Sequence, residues 1–327
     1  MIPDAHVVDL DPDGRLLEDT ARGPRPVPED RLDDHFAEEL APPSWATDLL
    51  VYVHGWQTRP DAALTAGRQL LTLAAQQYTS YPRPYRRLES WVPWVLVIRW
   101  PSRSWPSLGG YRRIRDRAHA MSTRGHAARV IGRLLGCLDA RRPDPAAPPV
   151  LANREGQYLH LVGHSFGCRL LCEAVQWAAG DEPLTLGWST PRPHGRPFTV
   201  DSMLLLQMAA GRDAFAATFT ALAEAPLRGP VVATYSQHDR ATGFWHLRAE
   251  KRAGVGHAGI GTAPVPVSAI RMLPPGEPYP LAALDHRFVS VDASDVFVRG
   301  RGPAGAHSDH LRPESAHLLL SLADHCR

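Results

Sequence analysis

Tyr158-Leu159-His160-Leu161-Val162-Gly163-His164-Ser165-Phe166-Gly167-Cys168-Arg169-Leu170-Leu171 is the stretch on which the fold turns. It opens with a short apolar run of strand type. From Cys168 to Trp177 the apolar residues recur at helical spacing. Between them stands G-x-S-x-G, over Gly163 to Gly167. Strand, tight glycine-flanked turn, then helix is the context a nucleophile elbow requires. Such a turn forces its serine into strained backbone angles, and only small neighbours fit beside it. Hence a glycine stands two residues away on each side. The geometry lifts the hydroxyl above the sheet and aims the next backbone N–H at the same point. The plainer reading is an ordinary strand-to-helix turn built of small residues.

Outward from the elbow, strands and helices alternate. Asp48-Leu49-Leu50-Val51-Tyr52-Val53-His54-Gly55-Trp56 has an unbroken apolar core, which suits a strand buried on both faces of a parallel sheet. Helical spacing follows over 61–78, a second buried strand over 94–100, and one long helix over 111–141. Beyond the elbow the pattern predicts a strand at 200–210, a helix at 214–225, strands at 231–236 and 288–292, and a closing helix at 313–324. The fold class is therefore α/β, with a mostly parallel central sheet and helices on both faces. Residues 1–46, rich in Asp, Glu, Arg and Pro, read as an irregular N-terminal leader with one short helix over 31–40. Residues 47–327 read as the domain, with lid or loop insertions at 180–199 and 253–285.

Composition excludes several classes. Hydrophobic content of 44% and charge of 21% are those of a globular protein. A formal net charge of +2 predicts no nucleic-acid surface. The basic charge is nearly all arginine, with Lys251 the only lysine; Arg112, Arg113, Arg115 and Arg117 read as a solvated helix face. Cys137, Cys168, Cys172 and Cys326 form no C-x-x-C pair and fit a reduced, cytoplasmic protein; Cys168 and Cys172, four apart on one helix face, read as small buried core residues. No run approaches the ~18 apolar residues of a membrane span, and the first residues lack a signal-peptide pattern.

A serine hydroxyl is a weak nucleophile and needs a histidine to take its proton and a carboxylate to hold that histidine. The chain offers both after Ser165. Asp239 directly follows the strand at 231–236; Asp213 competes with it, and Asp292 and Asp295 rank lower. The base lies in Gly305-Ala306-His307-Ser308-Asp309-His310, where His307 leads His310 as the residue next to the loop glycine. Two backbone donors must hold an oxyanion. The N–H of Phe166 is one, and the turn His54-Gly55-Trp56 supplies the other through Trp56. His54, His164, Asp239 and His307 have the residue types for zinc, but no paired-ligand spacing supports a metal, and no cofactor is expected.

These residues resemble the α/β-hydrolase superfamily, and within it a branch of poorly characterised bacterial serine esterase- and lipase-like proteins. The shared pattern is His54-Gly55-Trp56 after an apolar strand, Arg99-Trp100-Pro101-Ser102, and Tyr111 with its helix. It continues through the elbow, Tyr235-Ser236-Gln237-His238-Asp239-Arg240-Ala241 and the terminal His307. The resemblance implies a serine hydrolase acting on a small-molecule ester or thioester through Ser165, Asp239 and His307. The competing expectation is the same fold kept as a catalytically silent binding module. Tryptophans 56, 100, 105, 188 and 245 read equally as an apolar acyl pocket or as buried core.

Overall fold

The computed structural model describes residues 5–142, 156–177, 179, 199–300 and 302–327. The central strand β4 (Asp48–Val53) is buried along its whole length, as its unbroken apolar run requires. Around it lie β1 (His6–Leu10), β2 (Leu16–Thr20), β3 (Gly23–Pro26), β5 (Pro93–Arg99), β6 (Tyr158–His164), β7 (Ser202–Leu206), β8 (Val231–Tyr235), β9 (Val267–Arg271) and β10 (Phe288–Asp292). They form one ten-stranded sheet in the order β3-β2-β1-β5-β4-β6-β7-β8-β10-β9. All neighbouring pairs from β1 to β9 along that order are parallel; β2 runs against both β1 and β3. The molecule is α/β.

Helices cover both faces. One face carries α1 (Leu32–Glu39), α3 (Leu108–Thr123), α4 (Ala127–Arg141) and α5 (Gly167–Trp177), packed over Leu49, Val51, Leu96, Leu161 and Leu205. The other carries α2 (Pro60–Ser80) and α10 (Pro313–His325), packed over Leu50, Val97, Leu204 and Val289. Residues of opposite parity on each strand thus feed two separate cores. Each Leu, Val or Ile so buried stabilises the fold by about 1.5–3 kcal/mol relative to exposure. The turns α6 (Ala214–Ala217), α7 (His246–Glu250), α8 (Val255–Ala258) and α9 (Leu281–Leu284) fill the connections. No helix among the described residues is long and apolar enough to cross a membrane.

Several sequence expectations need correction. The N-terminal residues are not an irregular leader: β1 pairs in parallel with β5, and β2 and β3 extend the sheet beyond it. Their signal is faint because these short strands bury few apolar residues, here Val8 and Leu10 of β1 and Leu16 of β2. The short helix at 31–40 is present as α1. The long helix at 111–141 is two helices, broken at Arg124-Gly125-His126. The tight turn between β1 and β2 docks into the break, where the His126 N–H donates to the Asp13 carbonyl at 2.9 Å. A Cβ on Gly125 would lie 2.3 Å from that same oxygen, so only glycine admits the contact.

The excursion at 253–285 contains α8, α9 and the edge strand β9, whose half-exposed side chains carry no apolar alternation. The strand at 200–210 is shorter, because Gln207 turns the chain at φ +48°. The helix at 214–225 is one turn of α6 followed by a 3-10 turn at Thr220–Ala223. The lid expectation at 180–199 lies, save for its last residue, outside the described residues.

Candidate active site

β6 delivers Ser165 to the carboxyl end of the sheet, and α5 begins two residues later. Ser165 has φ +56°, a left-handed conformation that a side chain adopts at a cost. The glycines around it are required by contact. A Cβ on Gly163 would lie 2.8 Å from the Cα of Cys168, and one on Gly167 would lie 2.4 Å from the Val53 carbonyl oxygen. The elbow is pinned from the other side by the chain leaving β7: the Ser165 N–H donates to the Leu206 carbonyl at 3.0 Å, and the Ala209 N–H to the Ser165 carbonyl at 3.2 Å. The turn after β4 closes over the serine. A Cβ on Gly55 would meet the Ser165 Cβ at 2.6 Å, so this turn approaches as only glycine permits.

Asp239 follows β8 and is wholly buried. Its Oδ2 lies 2.8 Å from Nδ1 of His307, on the loop that follows β10. Asp239 also pairs with Gly305 as an isolated bridge, and the Ala306 N–H donates to the His238 carbonyl at 3.1 Å. The backbone therefore registers the His307 loop against the Asp239 turn. Oδ1 of Asp239 accepts the Thr242 N–H at 3.0 Å. In the neutral ring, a proton on Nδ1 shared with the carboxylate leaves Nε2 the lone pair that a base requires.

Gln207 escaped the sequence reading. Its Nε2 donates to Oδ2 of Asp239 at 3.3 Å and to the Ala306 carbonyl at 3.0 Å, tying the acid to the His307 loop. Its signal was available: it is the only polar residue in Met203-Leu204-Leu205-Leu206-Gln207-Met208-Ala209-Ala210. The competing acids are committed elsewhere. Asp213 pairs with Arg252, Asp292 caps Ser294, and Asp295 is exposed against Arg271.

The remaining histidines sort by partner. His54 accepts the Trp100 N–H at Nε2, 3.2 Å away, so its Nδ1 carries the proton and donates to the Gly55 carbonyl at 3.0 Å. Burial drives its pKa down to about 4. His164 lies with Nε2 3.0 Å from the His307 carbonyl. Its ring stacks on His310 at 3.6 Å and 16°, and stands 4.8 Å from the His307 ring. Burial, then the neighbouring histidines, hold His164 well below its usual range, and burial brings His310 down to about 3. Among the described residues neither ring nitrogen of His310 has a hydrogen-bond partner. Among the described residues no three His, Cys, Asp or Glu side chains converge as metal ligands.

Among the described residues, the N–H groups of Trp56 and Phe166 donate to no protein acceptor. The Trp56 ring is held by Ser104, which accepts from Nε1 at 2.8 Å, and by edge contact with Tyr111. Beside this turn opens a cavity of about 420 Å³, lined by Trp56, Trp245, Pro106, Ala62, His164 and His307 among others.

A second Ser-His-Asp chain exists and fails the site test. Ser202 Oγ lies 2.8 Å from His160 Nδ1, and His160 Nε2 lies 2.9 Å from Asp48 Oδ1. All three are fully buried, near the amino ends of their strands. Burial opposes charge on Asp48, but the bond from His160 and the nearby Arg327 outweigh it and hold its carboxyl below the usual range. Among the described residues this chain is sealed from solvent toward the amino ends of the strands, whereas Ser165 follows the carboxyl end of β6.

No family model matches the chain. No curated protein matches it. Among solved structures it is similar to the crystal structure of esterase PE8, at 14% identity over 60% of this chain and 71% of that one, with a TM-score of 0.29. So slight a likeness adds nothing to the geometry of Ser165, Asp239 and His307.

Proposed function

We propose that the chain is a serine hydrolase with the α/β-hydrolase fold, cleaving a carboxylic ester or thioester through an acyl-enzyme on Ser165. The observation that carries the reading is the strained Ser165, at φ +56° after β6, with the His307–Asp239 pair at 2.8 Å beside the same elbow. In the first half-reaction Ser165 Oγ attacks the carbonyl carbon and its proton passes to the Nε2 of His307. Asp239 holds the resulting imidazolium. The negative oxygen of the tetrahedral intermediate accepts from the N–H groups of Phe166 and Trp56. His307 then protonates the departing alcohol or thiol. A water, deprotonated by His307, attacks the acyl-enzyme and releases the acid and the free serine. The chemistry needs no cofactor.

One observation favours the second reading, a silent binding module. Ser165 is 2% exposed, and among the described residues its hydroxyl makes no hydrogen bond to His307. Such bonds often form only in the substrate complex. A fluorophosphonate probe separates the two. The hydrolase reading expects labelling at Ser165, abolished in Ser165→Ala, together with loss of p-nitrophenyl ester turnover. Folded protein that neither labels nor turns over is the module.

A further inference from the structure

The cavity of about 420 Å³ beside the elbow is lined, among the described residues, by no Asp, Glu, Lys or Arg. Its walls come from Trp56 and Trp245, from Ala62 and Ala66 of α2, and from Pro303 and Ala304. An apolar cavity of about 150 Å³ holds one benzene, so this one takes two or three groups of that size. His164 and His310 are both held neutral by burial, and His307 is engaged with Asp239. A carboxylate, phosphate or ammonium entering here would lose water and meet no Asp, Glu, Lys or Arg to pair with, which disfavours it against a neutral group.

Gln57, Thr58 and Ser308 add neutral polar groups where the lining is exposed or half-exposed, and one hydroxyl lies in its buried part. Tyr52, on β4, is 1% exposed and lines the cavity. Among the described residues no hydrogen bond holds its hydroxyl, whose oxygen is not sealed off and is open to the cavity. A buried phenol hydroxyl ordinarily finds a partner. Burial also raises its pKa, so the group stays protonated and able to donate.

We propose, building on the hydrolase reading, that the substrate is an ester or thioester whose buried portion is uncharged and apolar and carries one neutral oxygen that accepts a hydrogen bond from Tyr52. Tyr52 is then a specificity-determining residue, not a participant in bond making. A substrate lacking the oxygen leaves the hydroxyl unpaired, and a charged one is disfavoured because no Asp, Glu, Lys or Arg lines the cavity.

The test compares p-nitrophenyl heptanoate, its monoketone derivatives, and the mono-p-nitrophenyl ester of heptanedioic acid. The best-placed ketone is expected to exceed the plain chain in kcat/KM by about tenfold, the worth of one hydrogen bond. The terminal carboxylate is expected to fall at least about a hundredfold below the plain chain. In Tyr52→Phe the ketone-to-alkyl ratio should collapse to about one. A ratio unchanged by Tyr52→Phe, or a carboxylate ester cleaved as well as the neutral ones, overturns the proposal. A binding arm uses Ser165→Ala and the corresponding heptanamides, read by tryptophan fluorescence because Trp56 and Trp245 line the cavity. If wild-type protein cleaves no ester and takes no fluorophosphonate, the hydrolase reading has failed. A ketone preference in the binding arm that vanishes in Tyr52→Phe,Ser165→Ala still upholds the cavity assignment, and its absence refutes it.

Discussion

His307 and His310 are three residues apart and chemically opposite. One faces the carboxylate of Asp239 at 2.8 Å; the other stacks on His164, with neither ring nitrogen partnered among the described residues. Nothing in the local sequence separates them beyond the position of Gly305. A backbone bridge between Gly305 and Asp239 makes the distinction, and it joins segments far apart in the chain. His307→Ala is expected to lower kcat/KM for a chromogenic ester by about 10²–10⁴-fold, the usual worth of a positioned base. Retained rate in that variant, with loss in His310→Ala, would reverse the assignment. Gln207→Leu should cost less, since Asp239 keeps the Thr242 N–H. Its mark is a changed pH profile of kcat/KM, because Gln207 acts only by holding the carboxylate that holds His307.

Elements were legible where periodicity and burial agree. β4, β8 and β10, with apolar residues on both faces, lie where the pattern puts them, and so does α10. They were illegible where a partner elsewhere in the chain decides the break. The apolar spacing of α3 and α4 is continuous, yet the turn at Asp13-Gly14 splits them; a Cβ on Gly14 would itself lie 2.5 Å from the Ala127 nitrogen. At the elbow the local rule and the tertiary contact coincide. Gly167→Ala places a methyl 2.4 Å from the Val53 carbonyl and 2.5 Å from that of His54, both backbone atoms that cannot rotate away. The expected loss is about 1–3 kcal/mol, read as a lower denaturation midpoint at unchanged slope. An unchanged midpoint would mean that the elbow is looser than these distances require.

Across the whole molecule, burial of histidines couples stability to pH. His54 and His246 are brought down to about 4, and His310 to about 3, in each case chiefly by burial. Their unfolded value is about 6.5. The unfolded chain therefore binds more protons between those limits, and stability falls as pH drops from about 6.5 toward 4. It is fully present above that window. Each histidine contributes a slope of up to about 1.4 kcal/mol per pH unit. Melting temperature should fall steeply over this interval, and less steeply in His246→Gln; equal slopes for the two proteins would exclude His246 as a contributor. Removing residues 1–26 should also destabilise, because it strips β1 from β5 and leaves a long apolar edge that promotes aggregation. Size-exclusion chromatography of the truncated protein reads that outcome.

By itself the sequence determined the α/β class, the glycine-flanked turn at Ser165, and the order in which Ser165, Asp239 and His307 follow along the chain. These follow from short-range rules: period, turn sterics, and the need for small residues beside a strained serine. Tertiary structure decided which histidine meets Asp239, that Gln207 holds that acid, that the first strands belong to the sheet, and that Tyr52 faces the cavity unpartnered. Each of these depends on which distant backbone lies alongside, and on what water is excluded there. Neither is set by a residue's neighbours in the chain.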